Sequence, residues 1–398
     1  MIKNVEASPY HKEITLPYSK SYINRALILA SLSKKPIVVS NISTATDVTN
    51  MINCLKNVGL IIEQHGDGVI VQNSFPECED TNLDHTTILE TGDGGTTNRF
   101  LLALLARGKK KYCLKFSGTF RDRPFDEFAQ LLRSCSVQVK LENSCITLNG
   151  PMATPHKIEV DARNSGQFVS AIMLSLADTN IETKAKNLIS SAGYVEITQK
   201  MVLAFKQNTT KFEIPIDFSS LSYPVALALT NGSVTISNCT SIDLLQPDSV
   251  LTSIYKQHIN LNSAGLSVTK ANDYLQPLDV DCSNCPDLVP TLAYLASYSN
   301  GTSILKNLDV LKFKESDRLH EICQILNLFE VKYYLHNSPA TLEIFGNSTC
   351  PSHKEYHSPN DHRMAMMAFL FMRKNSGGKI LNAECVKKSF PNFYELLS

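Results

Sequence analysis

The chain reads as an α/β protein of two or three domains, and three observations carry that reading. Short runs rich in β-branched and aromatic residues alternate with stretches whose apolar residues recur every three or four positions. The 398 residues exceed what one core supports at about 150 residues per domain. Hydrophobic residues make up 43% against 19% charged, which supplies sizeable cores without the charge excess of a disordered chain.

Taken in order, Ile37 to Val39, Leu60 to Ile62, Val69 to Val71, Tyr112 to Phe116, Val137 to Lys140 and Ile146 to Leu148 read as strands between turn formers. Between them, Arg25 to Leu32, Val48 to Val58, Arg99 to Ala106 and Phe125 to Ser134 have helical spacing. The rhythm returns at Pro224 to Leu229, Ser249 to His258, Leu288 to Ala296, Arg318 to Phe329 and Arg363 to Met372. Similar α/β units repeated along the chain fit best. Both patterns lapse around Leu16 to Tyr18 and Gln207 to Pro215, the candidate crossing points between two lobes.

Several function classes are disfavoured. The 38 basic and 38 acidic residues cancel, so no overall field draws the chain to nucleic acid or an anionic membrane. The apolar run Met364 to Met372 is far short of the ~20 residues that span a bilayer. The first residues are polar where a secretory signal is apolar, and the odd total of 11 scattered cysteines suits reduced thiols, so a cytoplasmic protein is expected. No G-x-G-x-x-G follows a first strand, no Walker A spacing precedes a helix, and the histidines form no H-E-x-x-H pattern. Cys282 and Cys285 make a local pair, but no second compact pair completes a zinc site.

The arginines are more informative than the net charge. Six of the ten, Arg25, Arg99, Arg121, Arg123, Arg318 and Arg363, sit at turns or just before helical stretches. A guanidinium offers paired donors to carboxylate or phosphate, although for any one of them a solvated helix end is the simpler reading. Leu16 to Ser21 places hydroxyls and Lys20 at a helix start, where free amides favour an anion. Gly92 to Arg99 is a glycine loop followed by a helix, and its glycines permit close backbone approach. Arg121 and Arg123 stand beside Pro124 at the positive end of the next helix, a placement that a bound anion explains better than stability does. Ser165-Gly166-Gln167, Ser190-Ser191, Tyr194 and Thr198 add neutral donors, and each could simply cap a helix. Pro286-Asp287 leads one apolar helix, and Lys312, Lys314, Glu315, Asp317 and Arg318 precede another; a helix cap accounts for Asp287 or Asp317 equally well, while an acidic residue beside several cations keeps useful basicity among anionic substrates. Asp361-His362-Arg363 and Lys387-Lys388-Ser389-Phe390 complete the set.

In this order and at these separations, the segments resemble the 5-enolpyruvylshikimate-3-phosphate synthase family from end to end. The strongest parts are Leu16 to Arg25, Gly95 to Arg99, Arg123-Pro124, Ser165 to Gln167, Lys314 to Leu319, Asp361 to Met366 and Lys388 to Pro391. The resemblance implies an α/β, two-lobed enolpyruvyl transferase fold. Each lobe is made of three repeated β-α-β-α-β-β units, and the active site lies in the interdomain cleft. Residues 1–15 and 216–398 are expected to form a discontinuous lobe carrying the proton-transfer carboxylates, and residues 16–215 an inserted lobe contributing shikimate 3-phosphate contacts. The implied reaction transfers the enolpyruvyl group of phosphoenolpyruvate to the 5-hydroxyl of shikimate 3-phosphate by addition and elimination, with no cofactor and no metal.

By motif match, Lys20, Asp287 and Glu315 are catalytic. Lys20, Ser21, Arg25, Ser165, Gln167, Ser191, Tyr194, Asp287 and Lys314 bind shikimate 3-phosphate. Lys20, Gly95, Arg123, Gln167, Arg318, Arg363 and Lys388 bind phosphoenolpyruvate, and Arg99 lies in the glycine-loop helix. A monomer that binds neither nucleic acid nor membrane and is inhibited by glyphosate is expected. Tyr18, Asp93 and Gly166 depart from the family's pattern at places usually held by glycine, asparagine and serine. The rival readings are enolpyruvyl transfer to UDP-N-acetylglucosamine, a catalytically impaired paralogue, and nucleic-acid binding. The first is disfavoured because the segment before Arg123-Pro124 lacks that sister family's reactive cysteine, Cys113 lying outside the motif.

Overall fold

The computed structural model describes residues 1–80, 85–153, 155–270, 275–347 and 352–398. The chain divides into two compact units, one formed by Met1–Pro17 with Ile216–Ser398, the other by Tyr18–Pro215.

The inserted unit contains helices α1 (Lys20–Ala30), α2 (Thr46–Asn57), α3 (Gly95–Leu105), α4 (Asp126–Ser134), α5 (Gly166–Ser175) and α6 (Ala192–Lys206). Every residue of α3 is buried, as are Tyr22 to Ala30 of α1 and nearly all of α5. Helices buried all round form the centre of a core. By contrast α4 buries only Phe128, Ala129 and Leu132. Two four-stranded sheets share one pairing pattern. The first runs Lys211–Glu213, Ile37–Ser40, Gly68–Val71, Ile62–His65; the second runs Thr87–Glu90, Lys111–Lys115, Cys145–Asn149, Gln138–Glu142. In each the first pair is parallel and the next two are antiparallel. Lys157–Asp161 and Glu182–Lys186 form a separate parallel pair.

The discontinuous unit repeats this plan. Its helices are α7 (Phe218–Asn231), α8 (Val250–Ile254), α9 (Val289–Ser297), α10 (Arg318–Leu328), α11 (His362–Lys374) and α12 (Phe393–Leu397). All of α9 is buried, as is all of α7 except its last residue and of α11 except its last. The parallel, antiparallel, antiparallel pattern recurs in Tyr10–Ile14, Gly232–Ile236, Gly265–Thr269, Ile259–Asn262 and in Asp279–Asp281, Thr302–Lys306, Ala340–Phe345, Tyr333–Asn337. The N-terminal strands complete two of this unit's sheets: Ile2–Val5 pairs with Gly378–Leu381, and Tyr10–Ile14 with Gly232–Ile236. Arg373 secures that segment by donating to the Glu6 carbonyl at 2.8 Å and to the Ser8 hydroxyl. In chain order the full β-α-β-α-β-β unit is uninterrupted at Thr87–Asn149 and Asp279–Phe345.

Helix starts are where structure and sequence pattern differ most. The helix expected from Arg25 begins at Lys20, because its first turn is polar and hides the apolar period. The helix expected from Pro224 begins at Phe218, where Asp217 caps it by accepting from the Ser220 amide at 2.7 Å, and Pro224 lies inside. The stretch expected to be helical over Ser249 to His258 is instead short α8 flanked by 3₁₀ turns at Pro247–Ser249 and Lys256–His258. Leu60 is buried ahead of the strand that starts at Ile62. Among the described residues no helix is long and apolar enough to cross a membrane.

Phe371 is 0% exposed, stacks on Phe329 at 4.8 Å and meets the Tyr294 ring edge-on at 5.1 Å. Phe371→Ala is expected to cost ~3–5 kcal/mol in urea unfolding; a loss below ~1 kcal/mol would contradict this packing.

Candidate active site

Helices that are apolar on every face can carry polar function only at their ends, and in each unit polar residues collect there. In the inserted unit, Lys20 opens α1 and its ammonium lies 2.7 Å from Asp47, a buried carboxylate in the first turn of α2. The backbone around this pair is closely packed. Thr97 donates to the Asp47 carbonyl at 3.0 Å, and a Cβ on Gly94 would come within 2.6 Å of the Asp47 carboxylate.

Gly94 caps α3 without a side chain, and Gly95 is its first residue. The Arg123 guanidinium lies against Gly95 so closely that a Cβ there would sit 2.6–2.8 Å from its two terminal nitrogens and central carbon. A cation held over the positive end of an uncapped helix is unfavourable alone, and together the two form a receptor for an anion. Arg121, two residues earlier, stays exposed.

Arg99 is 1% exposed and serves the neighbouring groups. It donates to Gln167 Oε1 at 2.6 Å, to Ser165 Oγ at 3.3 Å and to the Pro124 carbonyl at 2.9 Å, with its guanidinium over the Phe168 ring. It thereby fixes Ser165 and Gln167 at the start of α5 together with the residue after Arg123. Arg25 is equally buried. Its Nε donates to Thr198 Oγ1 at 2.8 Å, one terminal nitrogen to the Ser21 carbonyl at 2.7 Å and the other to the Tyr194 carbonyl at 3.1 Å. Burial pulls the Arg25 pKa down to about 10. Ser191 starts α6 in the left-handed region, with φ of 61°, and makes no side-chain cap bond. At Gly166 a Cβ would meet Leu188 and Val195 at 3.4 Å and the Ser190 carbonyl at 3.6 Å, in ordinary contact.

The discontinuous unit gathers its charges around Arg318, which is 1% exposed at the first position of α10. Nε donates to Asp361 at 2.8 Å, one terminal nitrogen to Asp287 at 2.8 Å, and the other to Glu315 at 2.6 Å. Burial alone would lower the Arg318 pKa, but Asp361, Glu315 and Asp287 raise it, so this guanidinium stays charged. Asp361 also caps α11 by accepting from the Arg363 amide at 3.0 Å, and it accepts from Ser316 at 3.1 Å. Arg363 reaches the Asp287 carbonyl at 3.0 Å and its carboxylate at 3.2 Å. Lys314 stands 3.3 Å from Asp287 and Lys388 3.7 Å from Glu315, whereas Lys312 and Lys387 are exposed.

Burial pushes the Asp287 carboxyl up, but Arg363, Lys314 and Arg318 together hold it well below the usual carboxylate range. Asp248 responds oppositely. Burial, reinforced by the charge on Asp287, raises it to about 6. Ser219 donates to one of its oxygens, and among the described residues the other has no hydrogen-bond partner. Sequence reasoning missed Asp47 and Asp248, which read as a first-turn acid and a Pro-Asp-Ser turn; only their burial sets them apart.

The family model for EPSP synthase (3-phosphoshikimate 1-carboxyvinyltransferase) matches residues 5–211 and 204–397. A 3-phosphoshikimate 1-carboxyvinyltransferase from Syntrophobacter fumaroxidans is 29% identical over 99% of this chain and 98% of its own length. One from Pyrococcus abyssi is 27% identical over 96% and 93%. Among solved structures, EPSP synthase from Acinetobacter baumannii shares the fold with a TM-score of 0.75 at 19% identity, covering 99% of this chain and 96% of its own. The enolpyruvyl transferase NikO from Streptomyces tendae shares it with a TM-score of 0.73 at 12% identity, covering 100% and 96%.

Asp248 gives a pH-dependent stability signature. Below about pH 4 both folded and unfolded chains hold its proton, and its contribution is complete. As pH rises toward about 6 the unfolded chain ionises first, so stability is lost, on the order of 2–3 kcal/mol. Asp248→Asn cannot ionise, so relative to the unsubstituted protein it should gain that amount between pH 4 and pH 8 in urea unfolding. A difference that stays constant across this range would contradict the assignment.

Proposed function

The chain belongs to the EPSP synthase family of 3-phosphoshikimate 1-carboxyvinyltransferases, and we propose that it transfers the enolpyruvyl group of phosphoenolpyruvate to the 5-hydroxyl of shikimate 3-phosphate using the residues described above. The arrangement that carries the residue assignment is the pair Asp287 and Glu315 held by the single guanidinium of Arg318, with Lys314, Arg363 and Lys388 alongside.

In this reading Glu315 delivers a proton to the methylene carbon of phosphoenolpyruvate, which makes the neighbouring carbon electrophilic. The 5-hydroxyl oxygen bonds to that carbon while its proton passes toward Asp287, giving a tetrahedral phospho-ketal. Glu315 then removes a proton from the new methyl group as the carbon–phosphate oxygen bond breaks and the proton held by Asp287 passes to the departing phosphate, so the vinyl ether is restored, inorganic phosphate leaves, and both carboxyl groups return to their starting states.

The pKa direction of Asp287 supports its role, and Glu315, paired with Arg318 at 2.6 Å and Lys388 at 3.7 Å, takes up its proton when substrate anions compete for those cations. An Asp287 carboxylate held ionised is ready to accept a proton but is a weak base while three cations surround it. Substrate carboxylate and phosphate groups compete for those cations, so binding itself raises the basicity of Asp287 when it is needed. Arg123 against Gly95, with Arg318, Arg363 and Lys388, is assigned to phosphoenolpyruvate; Gln167, held by Arg99, is assigned to both substrates. Ser165, Ser191, Ser21, Tyr194, Arg25 and Lys314 are assigned to shikimate 3-phosphate, with Arg25 acting largely by fixing Ser21 and Tyr194, on which two of its three kinds of nitrogen are spent. Lys20, paired with Asp47, stabilises charge that shifts between the substrates. Pre-placed donors of this kind stabilise the transition state more than solvent does. The reading expects a monomeric cytoplasmic enzyme.

The test is phosphate release coupled to formation of the enolpyruvyl product, requiring both substrates. Lys20→Ala and Glu315→Gln should each lower kcat by at least about 100-fold in samples that urea unfolding shows to be folded, with a lowered urea midpoint because each change leaves a buried partner without its counter-charge; near-normal turnover would overturn their roles. Gly95→Ala should displace Arg123 and raise KM for phosphoenolpyruvate about tenfold, with a smaller change for shikimate 3-phosphate. Equal changes for the two substrates would contradict the assignment of Arg123.

A further inference from the structure

The sheet containing Lys111–Lys115 and Cys145–Asn149 carries two thiols that the transfer reaction does not use. Tyr112, Leu114, Ile146 and Leu148 face the core and are at most 1% exposed. Strand alternation turns Cys113 and Cys145 to the opposite, outer face. The antiparallel register sets Cys113 opposite Thr147 and Lys115 opposite Cys145, making the cysteines diagonal neighbours. Their sulfurs are 3.1 Å apart, and both are half-buried free thiols. A disulfide spans about 2.05 Å, so the sulfurs need to approach by about 1 Å to bond. The other close pair, Cys282 and Cys285, is 0% and 4% exposed and closed to an oxidant.

We propose that Cys113 and Cys145 are a redox modification site, closing to a reversible cross-strand disulfide when a peroxide reaches the outer face of this sheet. The Cys113 thiolate attacks a peroxide oxygen, the O–O bond breaks, and a sulfenic acid and hydroxide result, the hydroxide taking up the proton that Cys113 released to give one water. The Cys145 sulfur then attacks the Cys113 sulfur, the S–S bond forms, and the displaced hydroxide takes up the remaining thiol proton as a second water. Two electrons pass from the thiols to the peroxide, and a dithiol reductant returns them. Burial, followed by the nearby Cys113 sulfur and Glu142, pushes the Cys145 thiol up to about 11, with Lys115 opposing, so the attack by Cys145 is the slower of the two steps.

The full-length protein is treated with hydrogen peroxide at equimolar and tenfold amounts, then digested without reduction for peptide mapping. The proposal expects one linkage joining the Cys113 and Cys145 peptides, a mass lower by two hydrogens, loss of two titratable thiols, and reversal by dithiothreitol. In Cys145→Ser, dimedone should label Cys113 as its sulfenic acid. Peptides that remain unlinked at the tenfold amount, a Cys282–Cys285 linkage forming first, or no dimedone labelling of Cys113 in the variant would each overturn it.

Discussion

A guanidinium buried to 1% exposure and bonded to three carboxylates is the constraint around which the discontinuous unit's charged centre is built. Desolvating such a group costs several kcal/mol, and removing one partner of a buried pair typically costs ~3–5 kcal/mol. An apolar replacement of equal volume would serve stability as well, so the network is better explained by chemistry than by folding. Arg318 fixes Asp287 and Glu315 relative to one another, and through Asp361 it is tied to the start of α11 and therefore to Arg363. Arg363, Lys314 and Lys388 join Arg318 around these carboxylates, so cations are gathered where an anionic substrate can compete for them.

The inserted unit meets a related problem by different means. Its central helices α1, α3 and α5 are nearly all buried, so functional groups are confined to their N-terminal ends, where unpaired amides and the helix dipole already favour negative charge. Glycines at the start of α3 leave room for Arg123, and Arg99 holds Ser165 and Gln167 from beneath. Rigid inner helices thus set the site, and buried arginines act as positioning residues as well as ligands.

Much of this was legible in the chain. Alternating strand and helix periods announced an α/β fold, and charged residues at helix starts marked Arg123, Arg318 and Arg363. Other features were hidden for physical reasons. Polar residues among the first positions concealed the starts of α1 (Lys20, Ser21, Asn24) and α7 (Ser219, Ser220, Ser222), because apolar periodicity is silent where buried positions are polar. The pairing of Tyr10–Ile14 with Gly232–Ile236 joins segments more than two hundred residues apart, which no local pattern encodes. Asp47 and Asp248 resemble ordinary turn acids until burial and their partners are seen. Arg25 and Arg99 stand at turns or helix starts in the sequence, and the structure commits most of their donors to the protein itself.

The central claim is that the carboxylates organised by Arg318 move the protons of the transfer reaction, and solvent isotope exchange tests it most directly. Run in D₂O with both substrates, the protein should place deuterium in the methylene group of the enolpyruvyl product and of recovered phosphoenolpyruvate, and Glu315→Gln should abolish that incorporation while both substrates still bind. Incorporation at the unsubstituted rate in the Glu315→Gln variant would contradict the account.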